Sequence, residues 1–179
     1  AKDVQDAFNN SLGTDAAQAL KDFNSATLGT IDNVKAMSSI NNAMNKGISK
    51  DSIPGIAKFV QQLKDAGIAT GDVASEMETL TTAIATGRTV SLQRMGIDID
   101  KNAVLLEYGK QLALTDAAER GVTLTEEGLI SSGQDFVKTL TEEQKQAAIT
   151  TAVLDAIKVK SDSMVEPTSD FADKVVALK

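Results

Sequence analysis

The chain has no Cys, no His and no Trp, only two Pro, and 3% aromatic residues. Without Cys there is no disulfide, no thiolate nucleophile and no Cys-ligated zinc; without His the commonest general base and the commonest transition-metal ligand are gone. Arginine is confined to Arg88, Arg94 and Arg120, and 18 Lys+Arg stand against 25 Asp+Glu, a net charge of −7. That balance argues against a surface for nucleic-acid phosphates, so no direct nucleic-acid binding is expected. No run approaches the ~20 apolar residues of a membrane span, and no charged-then-apolar segment opens the chain. No membrane contact is therefore expected, and the chain reads as a soluble segment cut from a longer polypeptide.

What is present favours helix. The 179 residues, 42% of them apolar, suffice for one domain or two small ones. Apolar residues recur at helical spacing: Val4, Phe8, Leu12; Ala16, Leu20, Phe23; Val34, Met37, Ile40, Met44; Ile56, Phe59, Val60, Leu63; Val73, Met77, Leu80, Ile84; Ile149, Ala152, Val153, Ala156, Ile157; and Phe171, Val175, Leu178. The expected fold class is all-α, a compact multi-helix module of short helices joined by Gly-terminated turns.

Thr14, Asp72 and Asp100 are candidate N-caps, and Ser52-Ile53-Pro54 suits a helix start because Pro in a first turn loses an amide that has no partner there. Thr141-Glu142-Glu143-Gln144 and Thr123-Leu124-Thr125-Glu126 fit the reciprocal capping box. Gly followed by an apolar residue marks helix ends at Gly47-Ile48, Gly67-Ile68, Gly96-Ile97 and Gly121-Val122, where Gly takes the left-handed conformation and the apolar residue is expected to fold back on the helix. The Gly-Ile spacings differ, so no solenoid repeat is inferred. Acid and Lys lie three apart at Asp32/Lys35, Asp98/Lys101, Glu107/Lys110, Asp135/Lys138, Glu142/Lys145 and Asp155/Lys158, which reads as solvated helix faces.

The stretch from Gly87 to Asp100 is the least helix-like and is the expected junction between an N-terminal helical part, 1–87, and a C-terminal part, 88–179, unless the two form one continuous domain. Leu92, Met95 and Ile97 are its candidate structural residues, a turn whose packing fixes the placement of the two halves. A second boundary is expected from Val159 to Thr168, leading into a trailing helix.

Chemistry is sparse. Asp98-Ile99-Asp100-Lys101-Asn102 imitates the opening of a calcium loop, but Ala103 stands where the sharp turn needs Gly and Gly109 where a bidentate Glu is required. Glu126/Glu127 and Glu142/Glu143 are adjacent pairs that point about 100° apart on a helix, so neither converges on one substrate; both suit the positive end of a helix dipole. No Lys has Ser three residues before it, and no phosphate loop is present. Arg88 and Arg94 flank Val90 and Leu92, which makes either a small anion or partner site or a solvent-facing turn. No catalytic residue, metal ligand or cofactor is assigned, and the chain is not expected to be an enzyme.

Ala83-Ile84-Ala85-Thr86-Gly87-Arg88-Thr89-Val90-Ser91-Leu92-Gln93-Arg94-Met95-Gly96-Ile97-Asp98-Ile99 resembles bacteriophage tail tape measure proteins, in which an Ala-rich helix ends in Gly, a short turn carries Leu, and a Gly-Ile reversal closes it. The helix from Leu140 to Leu154 and the polar exit from Val165 to Asp170 are similar to the family's next elements, and Ile53 to Leu80 to the short helices before them. The resemblance covers residues 30 to 179. It implies a structural virion protein of the tail lumen, present in host cytoplasm during assembly, involved in tail assembly, length determination and genome ejection. Its implied partners are other copies of itself, tail tube and baseplate proteins, and tail assembly chaperones. A peptidoglycan-cleaving domain also occurs in the family, and Glu127 or Glu143 would be its only candidates here. The alternative expectation, from composition, is a helical protein-interaction module of a bacterial secreted or surface protein.

Overall fold

Side chains that accept hydrogen bonds from first-turn amides decide where many of the helices begin. The computed structural model describes residues 2–164; the stripe Phe171, Val175, Leu178 and the polar exit after Met164 lie outside the described residues. Within them the chain is all-α, with no strand. The helices are α1 (Lys2–Leu12), α2 (Ala16–Ala26), α3 (Asn33–Asn45), α4 (Ile53–Asp65), α5 (Val73–Thr86), α6 (Thr89–Arg94), α7 (Lys101–Glu119), α8 (Glu126–Thr139) and α9 (Glu142–Ser163).

Asp72 caps α5 by accepting from the Ser75 amide at 2.9 Å, and Asp100 caps α7 by accepting from the Asn102 and Ala103 amides at 2.9 and 3.1 Å. Thr141 forms the expected reciprocal box: its Oγ1 accepts from the Gln144 amide at 3.2 Å, and Gln144 Oε1 accepts from the Thr141 amide at 2.9 Å. Two expected starts move. Thr14 lies inside the 3-10 turn Gly13–Asp15 and caps nothing, while α8 starts two residues after the Thr123 box, with Thr125 accepting from the Gly128 amide at 3.1 Å. Asp32, read as an ion-pair partner of Lys35, caps α3 through the Lys35 amide at 3.0 Å. The acid–Lys pairs at Glu107/Lys110, Asp135/Lys138 and Glu142/Lys145 do form, at 3.7, 3.0 and 2.8 Å. Helix α9 runs through Ser163, so the boundary expected from Val159 onward is still helical there.

All four Gly-apolar stops close as expected. Gly47, Gly67, Gly96 and Gly121 have φ of 82°, 72°, 78° and 66°. The next amide donates back to the carbonyl five residues earlier: Ile48 to Ala43 at 3.1 Å, Ile68 to Leu63 at 2.9 Å, Ile97 to Leu92 at 3.0 Å, Val122 to Ala117 at 2.9 Å. The apolar residue folds back only in part. Ile48 and Ile97 are buried, whereas Ile68 is 53% and Val122 50% exposed. Backbone closure is thus general, and side-chain burial depends on whether a neighbouring helix covers the turn. Leu28 takes the same left-handed position (φ 54°) at the end of α2, where Gly29 donates to the Asn24 carbonyl at 2.8 Å.

The chain divides into two compact units, the described residues up to Ile97 with those from Leu154 onward, and Asp98–Val153. The division falls at Ile97/Asp98, beyond the Gly87/Arg88 expected from sequence, because α6 packs back on α5. In the first unit α1 packs on α3, α3 on α5 and α2 on α4, while α5 also packs on both its sequence neighbours, α4 and α6. This gives two layers, although the Gly-apolar stops in the sequence are unevenly spaced and form no exact repeat. Helix α4 is the centre, with Ile53, Ile56, Ala57, Phe59, Val60, Gln61, Gln62 and Leu63 all buried. The side-chain amides of Gln61 and Gln62 reach distant partners, while Gln61 Nε2 also donates to Asp65 Oδ1 within α4 at 2.8 Å. Thr30 Oγ1 donates to Gln61 Oε1 at 2.9 Å; Ser161 Oγ donates to Gln62 Oε1 at 2.6 Å, and Gln62 Nε2 to the Ser161 carbonyl at 3.0 Å.

Two alanine substitutions have opposite expected signs. Gly55 lies in α4, with no heavy atom within 4 Å of an added Cβ and no positive φ; Gly55→Ala should stabilise by about 0.5–1 kcal/mol in urea unfolding at unchanged m. Gly47→Ala should destabilise by roughly 1–2 kcal/mol, because Ala must take the left-handed conformation. Equal signs would refute the assignment of Gly47 as a left-handed stop.

Asp72 gives a pH dependence. The Ser75 amide holds its carboxyl below the ordinary 3.8, so the folded state favours the ionised form. That contribution is present above the unfolded pKa and is lost as pH falls through the folded one. Asp72→Ala should cost about 1 kcal/mol at pH 7, and the gap to the parent chain should narrow as pH falls through the lowered folded pKa; a gap that stays constant throughout acid titration would refute it.

Candidate functional site

The residues singled out from sequence, Leu92, Met95 and Ile97, are all buried in the first unit. Helix α6 is a six-residue turn that starts after Arg88 without a side-chain cap and ends where the Gly96 amide donates to the Gln93 carbonyl at 2.9 Å. Thr89, Val90 and Ser91 precede Leu92, the only buried position of the helix, and Val90 is largely exposed. The three residues therefore hold α6 onto α5 as core.

Arg88 and Arg94 are exposed. Arg88 lines a polar cleft of about 390 Å³ with Ser75, Glu78, Thr79, Thr82 and Ser91. Glu78 shares that cleft, so its field does not select an anion. Lys46, at the end of α3, donates to Thr82 Oγ1 at 2.8 Å. A second cleft of about 400 Å³ lies between α4 and the end of α9, where Asp51, Asp155 and Asp162 alternate with Lys58 and Lys158 over Ile56 and Ile157. Lys50, one residue before it, hydrogen-bonds Asp15, and that bond with the attraction of the same carboxylate raises its pKa.

The carboxylate pairs sit in first turns, as their spacing implies. Glu126 and Glu127 open α8; Glu142 and Glu143 open α9, with Glu142 bound to Lys145. The calcium-like Asp100 is engaged as a cap. Among the described residues no group of three or more Asp and Glu is placed to hold a metal ion. What the described surface offers is clefts, charge and apolar contact.

The feature sequence reasoning missed is the α7–α8 hairpin of the second unit. Gly109 and Gly133 lie in mid-helix, where the backbones touch: a Cβ on Gly109 would stand 2.3 Å from the Gly133 carbonyl oxygen and 2.8 Å from Val137 Cγ2. The buried residues of α7 are Gly109, Ala113 and Ala117, and that of α8 is Gly133. No Leu, Ile, Val, Phe or Tyr on either helix is buried; Val104, Leu105, Leu106, Tyr108, Leu112, Leu129, Phe136 and Val137 are half-buried, and Leu114 and Ile130 exposed. The signal available was a Gly at the centre of each of two helical windows, far from any stop.

Comparison with protein families, with curated proteins and with solved structures finds no match to this chain.

The glycine crossing carries a direct test. Alanine at Gly109 would gain about 1 kcal/mol of helix propensity, but its Cβ would overlap backbone that has to move, which typically costs ~1–3 kcal/mol or more. Gly109→Ala should therefore speed hydrogen exchange of the amides of 101–139 while leaving those of α4 unchanged. Unchanged protection in the hairpin would refute the backbone contact.

Proposed function

We propose that the chain is a structural virion component, a folded helical module of a bacteriophage tail tape measure protein, acting through contacts in tail assembly and genome ejection. Support comes from the residues that resemble that family: the Ala-rich run from Ala83, its stop at Gly87, the Leu92 turn and the Gly96-Ile97 reversal. In the fold these correspond to the end of α5, the left-handed Gly87 (φ 63°), α6, and the Ile97-to-Leu92 closure. The observation that carries the mechanism is physical: the described surface has clefts, half-buried apolar faces and charge, and no catalytic constellation. Docking to copies of itself, to tube or baseplate subunits and to assembly chaperones is the work such a surface suits.

Among the described residues the helices run 6 to 22 residues, and α3, α4, α5, α6 and α7 each end at a left-handed glycine, so the reading is a docked module rather than a continuous rod. Peptides of this chain should be recovered from purified tailed particles, and an in-frame duplication in the parent phage should leave tail length unchanged in electron micrographs. Lengthening toward the roughly 270 Å of an uninterrupted helix would make the segment part of a ruler instead. Absence of its peptides from the particles would end the virion reading altogether.

A further inference from the structure

We infer that the end of α9, residues 154–163, is a strap that swings off α4 as one piece while the rest of the first unit stays packed. The chain enters that unit twice, as 1–97 and again from Leu154, once Asp98–Val153 have formed the second unit. The two stretches are held to α4 differently. Helix α4 packs closely on α2 and α5, whereas a cleft of about 400 Å³ stands between it and the strap, with Asp51, Lys58, Asp155, Lys158 and Asp162 on its walls. Within the strap Ile157 and Ser161 are buried, Leu154 and Ala156 are half-buried, and Val159 is 71% exposed.

A latch of two hydrogen bonds accompanies this thin apolar contact. Helix α9 ends at Ser163, so the Ser161 carbonyl belongs to the last turn, where carbonyls lack the usual helical donor. It accepts from the Met164 amide at 3.1 Å and, from α4, from Gln62 Nε2 at 3.0 Å, while the Ser161 hydroxyl donates to Gln62 Oε1 at 2.6 Å. One buried glutamine thus grips both the backbone and the side chain of one residue. On another side the Lys160 stem lies against the reversal after α6, its Cε 3.4 Å from where a Cβ on Gly96 would stand. The buried hold on the strap is therefore one isoleucine and the latch, and the charges on the cleft walls face solvent, where ion pairs contribute little. The hydrogen bonds inside α9 run along the helix and survive its departure, so the strap leaves as a helix. Segments with few buried apolar contacts open below the free energy of global unfolding, as cooperative pieces. Opening bares Gln62 and Ile56 and gives the first unit a second state, in which one side of α4 is accessible. The inference rests on this packing, whatever assembly the chain belongs to.

The absence of Cys makes the test direct, because an introduced thiol is the only one in the chain. Ile157→Cys and Val60→Cys place it at positions 2% and 0% exposed, in the strap and in α4, with the amide spectrum checking that each variant stays folded. Labelling by a thiol reagent should be about a hundredfold or more faster at 157 than at 60, and should rise less steeply with urea, since that slope follows the surface exposed in the opening. Two further substitutions separate strap opening from unfolding of the unit. Gly47→Ala weakens the end of α3, which none of these strap contacts involves; it should speed labelling at 60 about tenfold and leave 157 unchanged. Ser161→Ala removes a latch that is broken in either opening, and should speed both. Hydrogen exchange of the parent chain and of Gly47→Ala repeats the comparison without a thiol, with the amides of 157–161 insensitive to the substitution and those of α4 responding. Equal labelling rates or equal urea slopes at the two thiols would overturn the strap, as would a response of 157 to Gly47→Ala matching that of 60, or fast exchange confined to the last turn after Val159.

Discussion

Burial of α4 on most of its surface is the constraint to which the first unit answers. Eight of its thirteen residues are buried, and two of those eight are glutamines. A buried amide left without partners costs about 1–3 kcal/mol, a large fraction of a small domain's stability. Gln61 is supplied by Thr30 from the α2–α3 connection and Gln62 by Ser161 from α9. The apolar residues Phe59, Val60 and Leu63 give the attraction, which is not directional. The glutamines add direction, tying the connection and α9 to α4 through Thr30 and Ser161.

The α7–α8 hairpin of the second unit is built on the opposite principle. Its helices touch through Gly109, Ala113, Ala117 and Gly133, so backbone approaches backbone and dispersion between close-packed atoms replaces interdigitated large side chains. Excluding large residues from the seam has a consequence for the rest of each helix. Leu105, Leu112, Leu129 and Phe136 remain half-buried at its margins, and Leu114 and Ile130 reach water. A hairpin of this kind holds its two strands of helix together while keeping apolar surface available on the outside.

The parts legible in the sequence are those with local causes. Asp72, Asp100 and Thr141 cap helices because their oxygens reach amides two or three residues on, and the Gly-apolar stops close because the chain closes on itself. Thr123 and Thr125 are both competent caps two residues apart; the box pattern points to Thr123, but the helix starts from Thr125. Burial of Ile48 but not of Ile68 depends on which distant helix covers the turn, so one motif gives two outcomes. The stacking of α1 on α3 and α2 on α4 is equally non-local, and it arises without an exact repeat in the sequence. Gly109 and Gly133 were hidden for a simpler reason: a glycine's local reading is a stop or a cost, while its use here comes entirely from the helix opposite. Leu92, Met95 and Ile97 were legible as a packed turn, since apolar residues at that spacing beside a Gly reversal have few alternatives to the core.

The glycine stops also bear on how a module of short helices would serve the proposed tape measure role. Run as one helix, the described residues would extend roughly 245 Å at ~1.5 Å each, whereas α9, the longest of them at 22 residues, reaches only about 33 Å. Much of the difference is held at Gly47, Gly67, Gly87, Gly96 and Gly121, all left-handed, and the rest at turns such as Leu28–Gly29 and Leu140. Glycine is the one residue that moves between left-handed and helical conformations with little steric penalty, and a glycine inside a helix costs only about 1 kcal/mol relative to Ala. Straightening these turns would therefore meet little local resistance. What keeps the first unit folded back is the collective burial around α4, with the Gln61 and Gln62 ties, and what keeps the hairpin closed is a seam of two glycines and two alanines. On the proposed reading the punctuation stores a compact form, and the two seams set how much work its opening requires.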